Sequence, residues 1–128
     1  MAEMKLALRE DRKEFRPGEE LAGAAYWKLD QQPKLVEVRL FWFTRGKGTE
    51  DVEVIEKFMF DNPQMEEARP FKFRLPGSPY SFSGNLISLT WAVELVAKPA
   101  REAKRIEFVL SPSGGEIVLS ALASAGRA

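Results

Sequence analysis

The 128-residue chain contains no cysteine and no histidine, and its 19 basic side chains are balanced by 19 acidic ones. These absences exclude disulfides, thiolate nucleophiles, and the commonest general base and metal ligand. A net charge of zero supplies no bulk attraction to nucleic acid or to an anionic membrane. The length is typical of one domain, and a hydrophobic content of 45% is enough to build a core.

The first third of the chain alternates apolar and polar residues with the period of a β-strand. A short strand is predicted at 4–9, followed by a charged connector. The pair Pro17-Gly18 then suits a type II turn with positive φ at the glycine. Further strands are predicted at 21–29 and 35–44, and one face of the strand at 35–44 is expected to be fully buried.

The middle of the chain is predicted to form a hairpin-like loop at 45–49 and an outer strand at 52–60. The parity of the apolar residues in this strand is broken at Glu56, which indicates a β-bulge. A short strand at 71–75 is expected to end at the following Pro-Gly pair.

The stretch at 79–96 organises the rest of the chain, because turn residues precede the longest strand. One face of this strand is predicted to be buried and the other mostly solvated, the buried positions being Ile87, Leu89, Trp91, Val93 and Leu95. Another strand is predicted at 106–110, a weaker pattern at 116–122 is compatible with one more, and the end at 124–128 is expected to fray.

Seven or eight strands separated by Pro, Gly and Asn signals, with no convincing helix, predict an all-β sandwich or barrel. We expect one domain over residues 1–128, with its core at about 4–111. Four motifs occur in order within that core: Phe15-x-Pro17-Gly18-Glu19-x-Leu21-x-Gly23, Val36-x-Val38-x-Leu40-x-Trp42, Phe71-x-Phe73-x-Leu75-Pro76, and Pro79-x-Ser81-Phe82-x-Gly84 leading to Ile87-x-Leu89-x-Trp91-x-Val93.

Together these motifs resemble the N-terminal domain of the arrestin-like superfamily. That superfamily includes arrestins, α-arrestins, the retromer arrestin-like subunit and bacterial sporulation-control proteins. The resemblance implies an immunoglobulin-like sandwich of 7–8 antiparallel strands that serves as a scaffold or adaptor without catalysis.

The chain departs from the family pattern in three ways. One domain is visible where arrestins pair two, so an interdomain switch is not carried over. Basic residues at 5–16 are interleaved with acidic ones, which argues against phosphopeptide sensing. The ligase-recruiting Pro-Pro-x-Tyr motif is absent.

Two loop or strand segments have an alternative functional interpretation. The segment Gly46-Lys47-Gly48-Thr49 is superficially similar to a phosphate-binding loop, but the P-loop spacing is missing, so a hairpin turn is favoured. Acidic residues at 50–56 raise the alternative of a calcium site. A calcium site needs several converging oxygens, but residues 51 and 53 should lie on a different strand face from 50 and 56. A charged, solvated edge strand is therefore the favoured interpretation of Glu50, Asp51, Glu53 and Glu56.

Two further groups are open to a binding interpretation. Three tryptophans could form a sugar or peptide platform, but their apolar parity favours core packing for Trp27, Trp42 and Trp91. A second group is a basic turn formed by Lys98, Arg101, Lys104 and Arg105. A solvated loop is the favoured interpretation of this turn, and contact with an anion is the alternative. No catalytic, cofactor-binding or metal-binding residue is predicted.

The leading hypothesis is a non-catalytic, arrestin-like protein-interaction module. The alternative is a carbohydrate-binding or adhesion-type β-sandwich, and a small hydrolase or isomerase is disfavoured by the side chains present. The expected partner is a protein or peptide that pairs with an edge strand, at 4–9 or 51–61, without nucleic acid, cofactor or membrane insertion. Complementary acidic and basic patches also predict weak homo-oligomers. A cytoplasmic location is expected because no signal peptide or membrane span is visible.

Overall fold

The computed structural model describes residues 2–46, 50–84 and 86–113, together with the backbone of 117–118. Ten strands are found there: β1 (Glu3–Leu8), β2 (Glu14–Phe15), β3 (Glu20–Lys28), β4 (Leu35–Gly46), β5 (Val52–Met59), β6 (Glu66–Arg74), β7 (Phe82–Ser83), β8 (Ile87–Lys98), β9 (Glu102–Leu110) and β10 (Ile117–Val118). One 3-10 turn, Arg9–Asp11, follows β1.

The strands form two sheets. The smaller sheet has the order β1-β3-β6, with antiparallel pairing throughout. The larger sheet has the order β10-β7-β8-β4-β5. Strand β7 pairs with the beginning of β8, and β9 pairs with residues 91–97 of β8. The short β2 runs parallel to β9. Seven strands of six to twelve residues build this all-β sandwich, which confirms the predicted fold class.

The core lies between the sheets and follows the predicted period of two. Trp27 on β3 and Trp91 on β8 have no exposed surface. Each indole Nε1 donates a hydrogen bond to a backbone carbonyl, from Trp27 to Gln64 at 2.8 Å and from Trp91 to Pro79 at 2.7 Å. Their polar atoms are therefore satisfied inside an apolar core.

The predicted turn before β3 is confirmed. Gly18 has a φ of +80°, and the N–H of Glu19 donates to the carbonyl of Arg16 at 3.2 Å. The same turn is tied to the end of β6, because the N–H of Gly18 donates to the carbonyl of Leu75 at 3.1 Å. The turn thus fixes where β3 begins relative to β6.

A second glycine allows β1 to approach β3 closely. Gly23 lies opposite Leu8 and Phe71 in the two ladders of β3. A Cβ atom at Gly23 would collide with the carbonyl oxygen of Ala7 and would lie 2.7 Å from Cζ of Phe71. Only hydrogen in place of a side chain fits both neighbours.

The structure corrects the predicted faces of β8 at two positions. Ile87 was expected to be buried but is 41% exposed, because it begins the strand opposite Gly46 at the end of the β4–β8 ladder. Ala92 was expected on the solvated face, yet it is buried with Phe41 and Phe43 in a small cluster on the outside of the larger sheet. The predictions at 47–49, for most of 116–122 and at 124–128 lie outside the described residues.

Candidate interaction site

Strand β5 forms one edge of the larger sheet and is the most exposed long strand of the described chain. It is hydrogen-bonded to β4, and no other strand of the described residues pairs with the backbone groups along its other side. Four apolar side chains on it are at least 40% exposed: Val52, Val54, Ile55 and Met59. An apolar edge of this kind favours pairing with another extended chain.

The predicted β-bulge in β5 is confirmed. Leu40 lies opposite Glu56 while the next residue, Phe41, lies opposite Val54, so Ile55 is the extra residue. The bulge corrects the predicted faces of the acidic residues. Glu53 and Glu56 share the face of Trp42 and Leu40, although a regular strand would separate them.

The acidic residues of this hairpin are spread along the strand and do not converge. Among the residues that the structure describes, no group of three or more Asp or Glu side chains is close enough to hold a metal ion. Asp51 instead closes the hairpin through its backbone: its N–H donates to Oγ1 of Thr44 at 3.1 Å, and its carbonyl accepts from the N–H of Thr44 at 2.8 Å. The side chains of Glu50, Asp51, Glu53 and Glu56 are all exposed, as expected for a solvated edge strand.

The outer face of the larger sheet carries two phenylalanines that are covered by arginines. Phe41 and Phe43 are 4% and 2% exposed. The guanidinium carbon of Arg105 lies 4.8 Å and 5.2 Å from their ring centroids, and that of Arg45 lies 4.9 Å from the ring of Phe43. Arg105 also pairs with Glu94 at 3.3 Å. One member of the predicted basic turn is thus used to cover the sheet.

A buried ion pair lies on the same face. Glu37 is 2% exposed, and its carboxylate accepts a hydrogen bond of 2.6 Å from Nε of Arg39. Burying a carboxylate is tolerated when such a partner is present. This pair occupies Arg39, which also lines the cleft described next.

A cleft of about 560 Å³ lies where β8 turns into β9. It is lined in part by Val96 of β8, which is nearly buried, and by the exposed Pro99 and Ala103. The connection between β3 and β4 reaches the same place, since the N–H of Lys34 donates to the carbonyl of Lys98 at 2.9 Å. Lys34 therefore joins the predicted basic turn, which sequence spacing alone does not indicate.

Strand β1 is the predicted second edge, and unlike β5 it has no large hydrophobic side chain that is strongly exposed. It is bonded to β3 alone, with alternate residues turned toward the core. Lys5 pairs with Glu3 at 3.3 Å and lies 5.8 Å from the ring centroid of Tyr26. The hydroxyl of Tyr26 donates to Glu66 at 2.7 Å, and this bond raises the pKa of Tyr26.

The charged connector after β1 is held in local ion pairs. The carboxylate of Glu19 accepts a hydrogen bond from the N–H of Arg16 at 2.6 Å and another from the guanidinium of Arg12 at 2.5 Å. These contacts, the backbone bond first, lower the pKa of Glu19. Arg12 in turn lies 4.4 Å from the ring centroid of Phe15. The side chain of Arg12 is therefore engaged by Glu19 and Phe15.

The tryptophan platform is not formed on the surface. Trp27 and Trp91 are fully buried, and Trp42 is half-buried and packed against the core. Core packing, the favoured interpretation, is confirmed for these residues. No helix in the described part of the chain is long and apolar enough to cross a membrane.

Comparison with protein-family models found no match, and no curated protein sequence matches. Among solved structures, Spo0M, a sporulation control protein from Bacillus subtilis, matches with a TM-score of 0.61 and 19% identity over 86% of this chain and 49% of that one. A β-glucosidase from Listeria innocua has a TM-score of 0.47 and 15% identity over 91% of this chain and 16% of that one. The chain spans about half the length of Spo0M, and that likeness supports an arrestin-like fold.

Proposed function

We propose that this chain is a non-catalytic interaction module that captures an extended segment of a partner protein along β5. The observation that carries the proposal is the free edge of Val52–Met59 with its exposed apolar side chains. Main-chain hydrogen bonds to such an edge supply affinity, and the side chains beside it supply selectivity. An adaptor role agrees with the arrestin-like fold, and a cytoplasmic location is part of the proposal.

The bulge decides how a partner segment aligns. Because Ile55 interrupts the regular pattern, an added strand pairs with one of two short runs, 52–54 or 56–59. On the outer face, Val54 and Met59 flank Lys57, so the edge combines apolar contacts with one cation. A complementary segment carries apolar side chains on one face and an acidic one between them.

The β5 edge is preferred over the β1 edge because of what each exposes. The side chains of β1 that face outward are Glu3, Lys5 and Ala7, and two of these are charged. Charged edges protect a sheet against added strands, whereas exposed apolar residues favour them. Strand β1 therefore serves mainly to close the smaller sheet.

Affinity capture from the source cell, followed by mass spectrometry, tests the proposal. Val54→Lys combined with Met59→Lys is expected to lose partners that the unmodified chain retains. Ile87→Lys is the matched control, because Ile87 is an exposed apolar residue of a different strand. Amide exchange at 52–59 should slow when a captured partner is bound. Retention of the same partners by the double variant would contradict the proposal.

A further inference from the structure

The cleft beside the β8–β9 turn is assembled from separate parts of the chain. Lys34 comes from the connection between β3 and β4, Lys98 ends β8, and Arg101 lies in the turn. The backbone bond between Lys34 and Lys98 holds the first two segments together. Lys34, which is far from the β8–β9 turn in sequence, therefore lines one concave surface together with Lys98 and Arg101.

The charges around this cleft are not balanced. Four basic and two acidic side chains line it. Arg39 is held by Glu37, and Glu94 is held by Arg105. No described residue forms an ion pair with Lys34, Lys98 or Arg101, which leaves three cations facing one acidic side chain, Glu102. On a chain with a net charge of zero, this is a local basic excess.

Arg101 adopts a backbone conformation that disfavours arginine. Its φ is +57°, in the left-handed region, where a residue with a Cβ atom is strained and glycine is not. Glycine would therefore suit the turn better than arginine. Strain of this kind at a surface position supports a role for the side chain outside the fold itself.

The floor of the cleft is apolar. Val96 is 8% exposed, and the exposed Pro99 and Ala103 line the same surface. An apolar floor with a cationic rim suits a chain that alternates acidic and apolar side chains. The acidic groups pair at the rim while the apolar groups lose contact with water on the floor.

We infer that this cleft binds an extended acidic segment of a partner protein. The inference rests on the proposed function, for which it supplies a second contact outside β5. It concerns a segment with several carboxylates, because Lys34, Lys98 and Arg101 all line the cleft. Carboxylates on one chain engage these cations together, so each additional pair forms at high effective concentration.

A single small anion fits this cleft poorly. All three unpaired cations belong to exposed residues, and an ion pair at an exposed site contributes little binding free energy. An anionic membrane is also disfavoured, since the chain as a whole is neutral and its acidic residues would be repelled. The carboxylate-rich peptide is therefore the occupant with the best match in charge.

A labelled synthetic peptide tests the inference on the full chain. The probe is fluorescein-labelled Glu-Leu-Glu-Ser-Glu-Leu-Glu-Ser-Glu, and its control replaces every glutamate by glutamine. Fluorescence anisotropy should show binding of the acidic peptide alone, weakening as salt is raised. Chemical-shift changes in NMR spectra should centre on the amides of 96–103.

Arg101→Gly is the decisive variant, because glycine is suited to the turn. We expect it to weaken peptide binding about two- to fivefold without lowering the unfolding temperature. Lys34→Ser combined with Lys98→Ser should weaken binding about three- to tenfold. The matched control, Lys28→Ser combined with Lys72→Ser, removes two exposed cations elsewhere and should change affinity less than about twofold.

Several results would overturn the inference. Equal losses in the two double-lysine variants would mean that only net charge matters, and shift changes along β1 or β5 would place the peptide elsewhere. If the chain binds phosphatidylserine vesicles but not the peptide, and Arg101→Gly abolishes the vesicle binding, the cleft would be assigned to membranes. Self-association that Arg101→Gly abolishes, in the absence of any peptide binding, would assign the cleft to a second copy. If the chain does not bind the acidic peptide, but the double variant Val54→Lys and Met59→Lys still loses captured partners, the cleft inference is wrong and the proposed function stands.

Discussion

The indole Nε1 of Trp91 donates a hydrogen bond of 2.7 Å to the carbonyl oxygen of Pro79, twelve residues earlier in the chain. This bond joins the turn segment before β8 to the middle of the same strand. Nearby, the N–H of Ser81 donates to the carbonyl of Leu110 at 2.7 Å, and its Oγ accepts from the N–H of Leu110 at 2.9 Å. The segment is thus fixed between β8 and β9 by side chain and backbone together.

Two substitutions of Trp91 separate the contribution of its packing to stability from that of its hydrogen bond. Trp91→Ala is expected to lower the free energy of unfolding by about 3–5 kcal/mol, because a large, fully buried aromatic is removed. Trp91→Phe keeps an aromatic ring but leaves the carbonyl of Pro79 without its donor, so a smaller loss of about 1–3 kcal/mol is expected. Urea unfolding measures both, and a loss below about 1 kcal/mol for alanine would contradict a core position.

Gly18 and Gly77 provide a matched pair for backbone strain. A Cβ atom at either glycine would have no heavy atom within 4 Å, but only Gly18 of the two has a positive φ, +80°. Gly18→Ala is therefore expected to destabilise by about 1–2 kcal/mol through strain alone. Gly77→Ala should be nearly neutral or slightly stabilising. Similar changes in thermal unfolding for both variants would argue against this explanation.

The buried ion pair predicts a non-additive double mutant. Arg39→Leu leaves the carboxylate of Glu37 buried without its partner, so we expect a loss of about 3–5 kcal/mol in stability at neutral pH. Glu37→Leu combined with Arg39→Leu removes both charges and should recover most of that loss. A double-mutant cycle of urea unfolding experiments measures the coupling, and additive losses would rule it out.

The lowered pKa of Glu19 predicts a contribution to stability that acid removes. The folded chain holds the carboxylate with the N–H of Arg16 and the guanidinium of Arg12, whereas the ordinary pKa is 4.5. The contribution is present above about 4.5 and is lost as the pH falls through the lowered value. Glu19→Gln should therefore reduce the urea midpoint most above pH 4.5, and the difference should shrink in acid.

Glu20→Gln is the control for that titration. Glu20 is the adjacent exposed carboxyl, and no hydrogen bond joins its side chain to another described residue. A difference between Glu19→Gln and the unmodified chain that stays constant from neutral pH into acid would contradict the linkage argument.

Weak self-association remains a prediction from the charges. The acidic edge at 50–56 and the basic cleft of a second copy are complementary, so association should be weak and should decrease as salt screens the charges. Sedimentation equilibrium at low and high salt measures it. A strict monomer at high concentration in low salt would exclude this association.

The sequence by itself determined the fold class and the inner faces of most strands. Alternation is local: Leu21, Trp27 and Trp91 each lie on the apolar parity of a strand, and each is buried. The Pro17-Gly18 turn was equally predictable, because proline presets one φ and glycine accepts the positive φ that follows. The parity change at Glu56 also indicated the bulge in β5.

Only the tertiary structure decided which charges remain available. Arg105 belongs to the same sequence cluster as Arg101, yet it is used to cover Phe41 and Phe43. Lys34 lies far from that cluster in sequence and is brought to it by pairing with the backbone of Lys98. Strand order and register arise from contacts between distant segments, whereas the spacing of residues within one strand reports only its own faces. The basic cleft therefore follows from the pairing of β4 with β8, which brings Lys34 beside Lys98.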